Sequence, residues 1–364
     1  MSSRGVRASA GVEVTIIDSQ PMGNIMARRT SRTKSLQPAV RTITFPILEA
    51  GVQYVEWSHA ASLVNRRFYR QGLNWAVSGF TLHTSNVDAA VGTGSVTVAK
   101  IPNTWVASNA WEKAFRAWNK QQMDTVDESG AESAVARFRD FKIHADVGHV
   151  TAGFAQNMLP GNLTDASNWE FFTPGEWESS LIVLPNLLPD ASGSLIEPRE
   201  YKLHLVGANF HTAAPLGSRG IIEGYADSRA YLQSPDPVSP AVDDTNNWLA
   251  RMFDVGSDTS EILDNATDRN DNLPYPQVNY PGGETQAPDL QYHDNLNITT
   301  TTVSGKTTCR GTTVPCGLLK FNIDDTLAAV APIPGAEPAP VAWIQVHLVP
   351  GPHRGYLCEP MMEM

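Results

Sequence analysis

Residues 73–84 read LNWAVSGFTLHT, and the fold class turns on them. Trp75, Val77, Phe80 and Thr81 favour extended backbone, no proline interrupts the run, and the stretch predicts one long strand. A strand needs partners, and similar stretches lie on both sides of it. VRTITFPIL (40–48), SVTVAKI (95–101), SSLIVLPNLL (179–188), YKLHLVGANF (201–210), GLLKFNI (317–323) and VAWIQVHLV (341–349) are strand-like, as are VEVTII (12–17), DFKIHADVG (140–148) and TTTTVS (299–304). Helical patterns are few and do not alternate with these strands, which argues against a doubly wound α/β fold. The expectation is an all-β fold: a jelly-roll β-sandwich with long loop insertions and a few short helices. Its two antiparallel sheets should share one core, with the segments near 179–187 and 201–210 among its strands.

Three helices are expected. In WSHAASLVNRRFYRQG (57–72), Ala60, Leu63, Val64 and Phe68 lie near one face and Gly72 is a natural stop. In NTWVASNAWEKAFRAWNKQQ (103–122), Trp111, Phe115 and Trp118 recur at helical spacing. ESAVARF (132–138) is the third. A chain of 364 residues with 41% apolar content can bury a sizeable core, and 27 Gly and 25 Pro suit many short elements joined by turns.

The net charge of −11 hides an asymmetry. Residues 1–70 hold ten Lys/Arg against four Asp/Glu, and the remainder holds 17 against 34. Residues 1–38 read as a basic, flexible N-terminal arm without sustained periodicity, and residues 39–364 as a single β-rich domain. Within that domain, residues 243–294 hold 11 Asp/Glu and two Arg. They read as an exposed acidic insertion that contributes no core strand, since burying unpaired carboxylates is costly.

Several function classes are set aside by absence of their signatures. There is no apolar run of 18 residues, so no membrane insertion by a helix is expected, and the first 30 residues lack a secretory apolar core. Three cysteines are too few for a disulfide framework; Cys309 and Cys316 flank RGTTVP and are either free thiols or a local bridge. No GxSxG, HExxH, P-loop or dinucleotide fingerprint occurs, so neither catalysis nor a cofactor is expected. His144, Asp146 and His149 in HADVGH, with His204 and His211, match no metal-ligand spacing and read as structural. Asp264, Asp268 and Asp271 lack the glycine and terminal glutamate of an EF-hand loop and read as a solvated acidic loop, with calcium left open. Trp57, Trp75, Trp111, Trp118 and Trp343 fit core positions; Trp169 and Trp177, in loop-like sequence, also suit a carbohydrate-binding stack.

The arginines of VNRRFYRQG (64–72) carry the main functional signal. Arg66, Arg67 and Arg70 are either a solvated helix end or part of a nucleic-acid-binding patch with Arg28, Arg29, Arg32, Lys34 and Arg41. Arginine binds phosphate bidentately and stacks on bases, and Phe68 and Tyr69 would add to the stacking. On the second reading the three arginines are exposed and Phe68 is buried.

VNRRFYRQGLNWAVSGFTLHT (64–84) and HLVPGPHRGYLCEP (347–360) resemble segments of capsid proteins from circular, Rep-encoding single-stranded DNA (CRESS-DNA) viruses. The layout, a basic N-terminus before a β-rich body, is similar too. The resemblance implies a jelly-roll shell domain that self-assembles into a small icosahedral capsid and packages a nucleic-acid genome, single-stranded DNA. Its partners would be other copies of itself, the genome and a host receptor that the sequence does not specify. Its location would be the virion and, during assembly, the host cell and its nucleus. One departure matters: residues 1–38 hold only six Lys/Arg, where many such proteins carry a dense arginine-rich arm. That shifts packaging charge toward Arg66, Arg67 and Arg70 and leaves an RNA genome open. The alternatives are an extracellular, lectin-like carbohydrate-binding β-sandwich and a β-sandwich glycosidase.

Overall fold

A computed structural model describes residues 38–85, 93–136, 139–164, 169–184, 199–210, 217–232, 290–328 and 340–364. The expected strand at 12–17, the arm residues up to 37, His211, the aspartates 264, 268 and 271, and residues 243–289 of the acidic insertion lie outside the described residues.

The architecture is mixed α and β, built on several antiparallel sheets. The first half of the body runs β1 (Thr42–Pro46), β2 (Gly51–Glu56), α1 (Trp57–Asn65), β3 (Leu73–Thr84), β4 (Gly94–Lys100) and α2 (Trp105–Ser129). Next come α3 (Val147–Ala152), β5 (Gly161–Leu163), β6 (Trp169–Phe171), β7 (Leu181–Leu184), β8 (Arg199–His204), β9 (Ser218–Gly220) and α4 (Ile221–Leu232). The chain closes with β10 (Gln291–Ile298), β11 (Lys306–Val314), β12 (Leu318–Ile323), β13 (Ala342–Leu348), β14 (Pro350–Gly351), β15 (Gly355–Tyr356) and β16 (Cys358–Pro360).

Two sheets dominate. One has the order β1-β13-β3-β11, with β16 also paired to the start of β3; the other has the order β10-β4-β12-β2. Side-chain alternation fixes their registers. In β13, Ala342, Ile344, Val346 and Leu348 are buried while the residues between are half-buried. The long β3 sits between β13 and β11, with Phe80 opposite Val346 on one side and Cys309 on the other. Inward residues of both sheets, among them Ile43, Phe45, Phe80, Val98, Phe321 and Ile344, form one core with Trp57 and Trp75. Full burial of each such side chain is worth about 1.5–3 kcal/mol.

The second sheet is buried on both faces where the end of β2 meets the start of β12. Adjacent residues alternate between two clusters: Val55 and Leu319 face the sandwich core, whereas Tyr54 and Leu318 face a second cluster. That second cluster is built by the chain between β4 and β10: α2 through Trp111 and Trp118, Phe141, Ile143, Ile182 on β7, Leu203 on β8, and Tyr225 on α4.

This arrangement corrects the expected all-β fold with a few short helices. α2 has 25 residues, with the Thr104 side chain accepting from Ala107 N at its start and Gly130 in the left-handed conformation at its end. The segments near 179–187 and 201–210 do not join the sandwich core: β7 and β8 pair with each other, β8 pairs in parallel with β9, and their apolar residues serve the second cluster. DFKIHADVG makes only an isolated bridge from His144 to His204 before α3 begins. TTTTVS, expected as a strand, is a turn and a 3₁₀ segment between β10 and β11. Residues 291–294, the end of the acidic stretch, open β10, a sheet strand. ESAVARF yields a 3₁₀ turn at Glu132–Ala134.

Candidate functional site

Helix α1 stops sooner than its sequence pattern implies. Arg66 takes φ 53 and ψ 42, the left-handed conformation usually given to glycine, and its N–H donates to Ser62 O. The three arginines therefore do not form a last helical turn. They lie on an irregular segment pinned along its length. Ser58 Oγ donates to Arg70 O (3.0 Å), Tyr69 N to Ser62 Oγ (3.0 Å) and Tyr69 Oη to Arg354 O (3.1 Å). At its end, Gln71 N donates to Asp140 Oδ2 (2.8 Å), and the Gln71 side chain makes a two-way bridge with the backbone of Ile143.

Arg66 and Arg70 are exposed, and Arg67 is half-buried. Nη1 of Arg67 is buried and has no hydrogen-bond partner. Tyr69 is the anchor, 1% exposed, and it packs with Trp75 and Tyr356; Phe68, expected to be buried, is half-buried. Arg41 is exposed and near the same corner: its neighbour Val40 donates from N to Asn65 Oδ1 (3.0 Å) at the end of α1 and accepts from Tyr356 Oη (2.6 Å). Arg28, Arg29, Arg32 and Lys34 lie outside the described residues.

Beside Arg66 and Arg67 lies an open cleft of about 290 Å³. His59, Leu63 and Phe68 add to its α1 side, and Glu176 and Trp177 line it from a later loop. Trp177 is held in place by three contacts. Its Nε1 donates to Glu56 Oε2 (2.6 Å), its ring stacks on His59 (4.9 Å, 9° between planes), and Lys142 Nζ lies 4.6 Å from its ring centroid. The Phe68 ring is tilted toward it at 6.1 Å.

The charges around the cleft follow from burial. Glu56 is 2% exposed, and burial pushes its carboxyl up to about 8, so it is protonated and neutral near neutral pH. Burial, aided by Lys142, lowers His59 to about 4, so it too is neutral. Burial raises Asp140 to about 6, against the pull of the Gln71 N–H, Lys142 and Arg70. The ionised groups on the lining are then Arg66 and Arg67 against Glu176, with Lys142 behind Trp177. Such a surface can take a phosphate on its guanidinium groups and a planar ring against its aromatic side.

Charge clustering points to the arginines in the sequence; Glu56, His59 and Lys142 carry no such signal. Trp177 is visible there only as a loop tryptophan. Trp169, the other loop tryptophan, lies on β6 with its ring 5.6 Å from that of Trp343.

The structure brings His144, Asp146, His149 and His204 together, but as packing. His149 accepts from Ala145 N at Nδ1 (3.1 Å) and meets Asn157 Oδ1 through Nε2 (2.8 Å), so both its ring nitrogens are occupied. Asp146 accepts from Tyr54 Oη and His149 N and pairs with Lys320. Among the described residues no group of three or more His, Cys, Asp or Glu is placed to hold a metal ion. Cys309, Cys316 and Cys358 are free thiols. No known protein family, curated protein or solved structure matches this chain.

Proposed function

We propose that this chain is a virus capsid protein, a jelly-roll subunit that assembles with copies of itself into a small icosahedral shell around a nucleic-acid genome, single-stranded DNA on the resemblance. The observation that carries the reading is the nesting of strand pairs. Take the eight strands of the two large sheets in chain order: β1, β2, β3, β4, β10, β11, β12 and β13. The first pairs with the last, the second with the seventh, the third with the sixth and the fourth with the fifth. One long hairpin folded over and rolled up produces that nesting, and rolling deals the pairs alternately into two four-stranded sheets. Such nesting supports the jelly-roll reading, the fold of many capsid subunits. The long chain between β4 and β10 is then an insertion between the fourth and fifth strands.

Two further observations support it. The segments that carry the CRESS-DNA resemblance, 64–84 and 347–360, pack on one another: Tyr69 Oη donates to Arg354 O, and β16 pairs with the start of β3. Arg41, Arg66, Arg67 and Arg70 are gathered at one corner of an otherwise acidic body, as a polyanion-binding face requires. The lectin and glycosidase readings fare less well. Trp177 is engaged by Glu56, His59 and Lys142, and the raised carboxyl of Glu56 is buried.

The test is assembly of the purified full chain, by negative-stain microscopy and sedimentation velocity, with and without single-stranded DNA. Closed particles of uniform size are expected. A chain that stays monomeric under all conditions, or turns over glycans, overturns the proposal.

A further inference from the structure

We infer that the cleft between Arg66 and Trp177 is a subsite for one nucleotide unit of a single-stranded nucleic acid, with the phosphate on Arg66 and Arg67 and the base against Phe68 and Trp177. The inference rests on the capsid reading for the source of the nucleotide, but its geometry is local.

The backbone is the first argument. A left-handed residue at a helix end favours glycine, because a side chain there is strained. Arg66 occupies that position with φ 53. Strain of this kind persists only where the surroundings fix it, and here the residue that carries it is exposed and lines the cleft. Second, half-buried Arg67 lines the same cleft, so a second guanidinium stands beside Arg66. Two guanidinium groups on one wall suit a phosphate.

Third, the aromatic wall is built, not incidental. Trp177 is fixed by the neutral Glu56 carboxyl, by His59 stacked on its face and by Lys142 over its ring, so its position is set before any ligand arrives. The base then stacks on Phe68 and meets the rim of Trp177, a wall that loses little freedom on binding. Glu176 on the lining decides between ligand classes. It opposes a bare phosphate, yet its carboxylate accepts from the amino group of a base. The cleft therefore fits a nucleotide better than an inorganic anion, and its volume of about 290 Å³ holds one such unit.

The test uses the full chain with a labelled single-stranded oligodeoxynucleotide. Three proteins are compared by fluorescence anisotropy: wild type, Arg66→Gly, and Arg116→Ala, which removes an equal charge from the outer side of α2. Arg66→Gly suits the left-handed backbone, so its thermal midpoint should hold or rise while affinity falls about tenfold, the loss of a charged hydrogen bond. Arg116→Ala should bind as wild type. A deoxynucleoside monophosphate should compete at concentrations where inorganic phosphate, at equal ionic strength, does not. With bromodeoxyuridine in the oligonucleotide, ultraviolet cross-linking should mark peptides containing Phe68 or Trp177. Equal affinity for wild type and Arg66→Gly, equal losses in both variants, equal competition by phosphate, or cross-links confined to other peptides would each overturn the inference. The outcomes separate from those of the assembly test. Shells that form and bind DNA without the cleft leave the capsid reading standing, whereas a monomer that binds nucleotides at the cleft leaves only the subsite.

Discussion

His149 and His204 are wholly buried, His144 is 1% exposed, and burial holds all three neutral. His149 and His204 are lowered from 6.5 to about 4, and His144 to about 2, where the neighbouring His149 and Lys202 add to the effect of burial. Over that window the unfolded chain binds more protons than the folded one, so stability rises with pH. The contribution is fully present above pH 6.5 and is lost as pH falls through about 4; for His149 and His204 it is about 3 kcal/mol each. Glu56 works in the opposite direction. Its carboxyl rises from 4.5 to about 8, so its share of stability is full below pH 4.5 and is lost as pH climbs through about 8. The stability curve is thus eroded from both sides. His204 offers the cleaner test, because its Nε2 meets Ala208 O, which a glutamine amide can still reach. His204→Gln should be less stable than wild type at neutral pH, by about 1–2 kcal/mol for imperfect repacking, and should lose less on acidification. Urea midpoints at neutral pH and near pH 4 read both effects. Parallel acid limbs for the two proteins would mean that His204 takes no part in acid lability.

Among the elements, the segment between α1 and β3 is the joint on which most depends. Its last residue, Gly72, lies against α2: a Cβ there would come within 2.4 Å of the Trp111 ring. Trp111 is itself 4% exposed and packed between Phe115 and Phe141, so it has nowhere to retreat. Gly72→Ala should destabilise the chain by about 1–3 kcal/mol through overpacking. Chemical denaturation measures this, and a change of only a few tenths would mean that the helix can shift. The sequence offers Gly72 as a helix stop, which it is not, since α1 ends at Asn65; its role as a close-packed joint is not legible, because its neighbour is some forty residues away. The same limit explains the other differences. β3, β4, β12, β13 and the core of α2 are legible because their apolar residues repeat with the period of their own element. β10 is not, since QYHDNLNI places only Leu296 and Ile298 in the core. TTTTVS misleads because β-branched residues favour a strand only where a partner is present. The arginines of the cleft are legible as a charge cluster, whereas Glu56, Lys142 and Trp177 are joined to them only by tertiary packing.

At the scale of the whole molecule, one sheet separates two cores, and the question is whether they unfold together. Capsid assembly on the proposed reading asks for a rigid sandwich, while the chain between β4 and β10 supplies the second cluster on its far side. One link between them is Tyr54 on β2. Its ring stacks on His149 of α3 (4.5 Å, 8°), and its hydroxyl donates to Asp146 Oδ1 at 2.7 Å. Asp146 in turn pairs with Lys320 on β12 at 3.1 Å, so two neighbouring strands hold the same carboxylate. Its ionised form is favoured by the Tyr54 and His149 hydrogen bonds and by Lys320, which together outweigh burial and hold it below the ordinary carboxylate range. Tyr54→Ala removes the ring and leaves Asp146 short of a donor. Loss of a large buried aromatic is worth about 3–5 kcal/mol. That loss falls on the second cluster and not on the sandwich core, to which Val55, not Tyr54, belongs. Hydrogen exchange read by mass spectrometry should then show residues 141–150 and 201–206 opening faster, while β1, β3 and β13 keep their wild-type protection. Faster exchange to the same degree in both regions would show a single cooperative unit and sink the idea of a sandwich that holds its shape independently of its insertion.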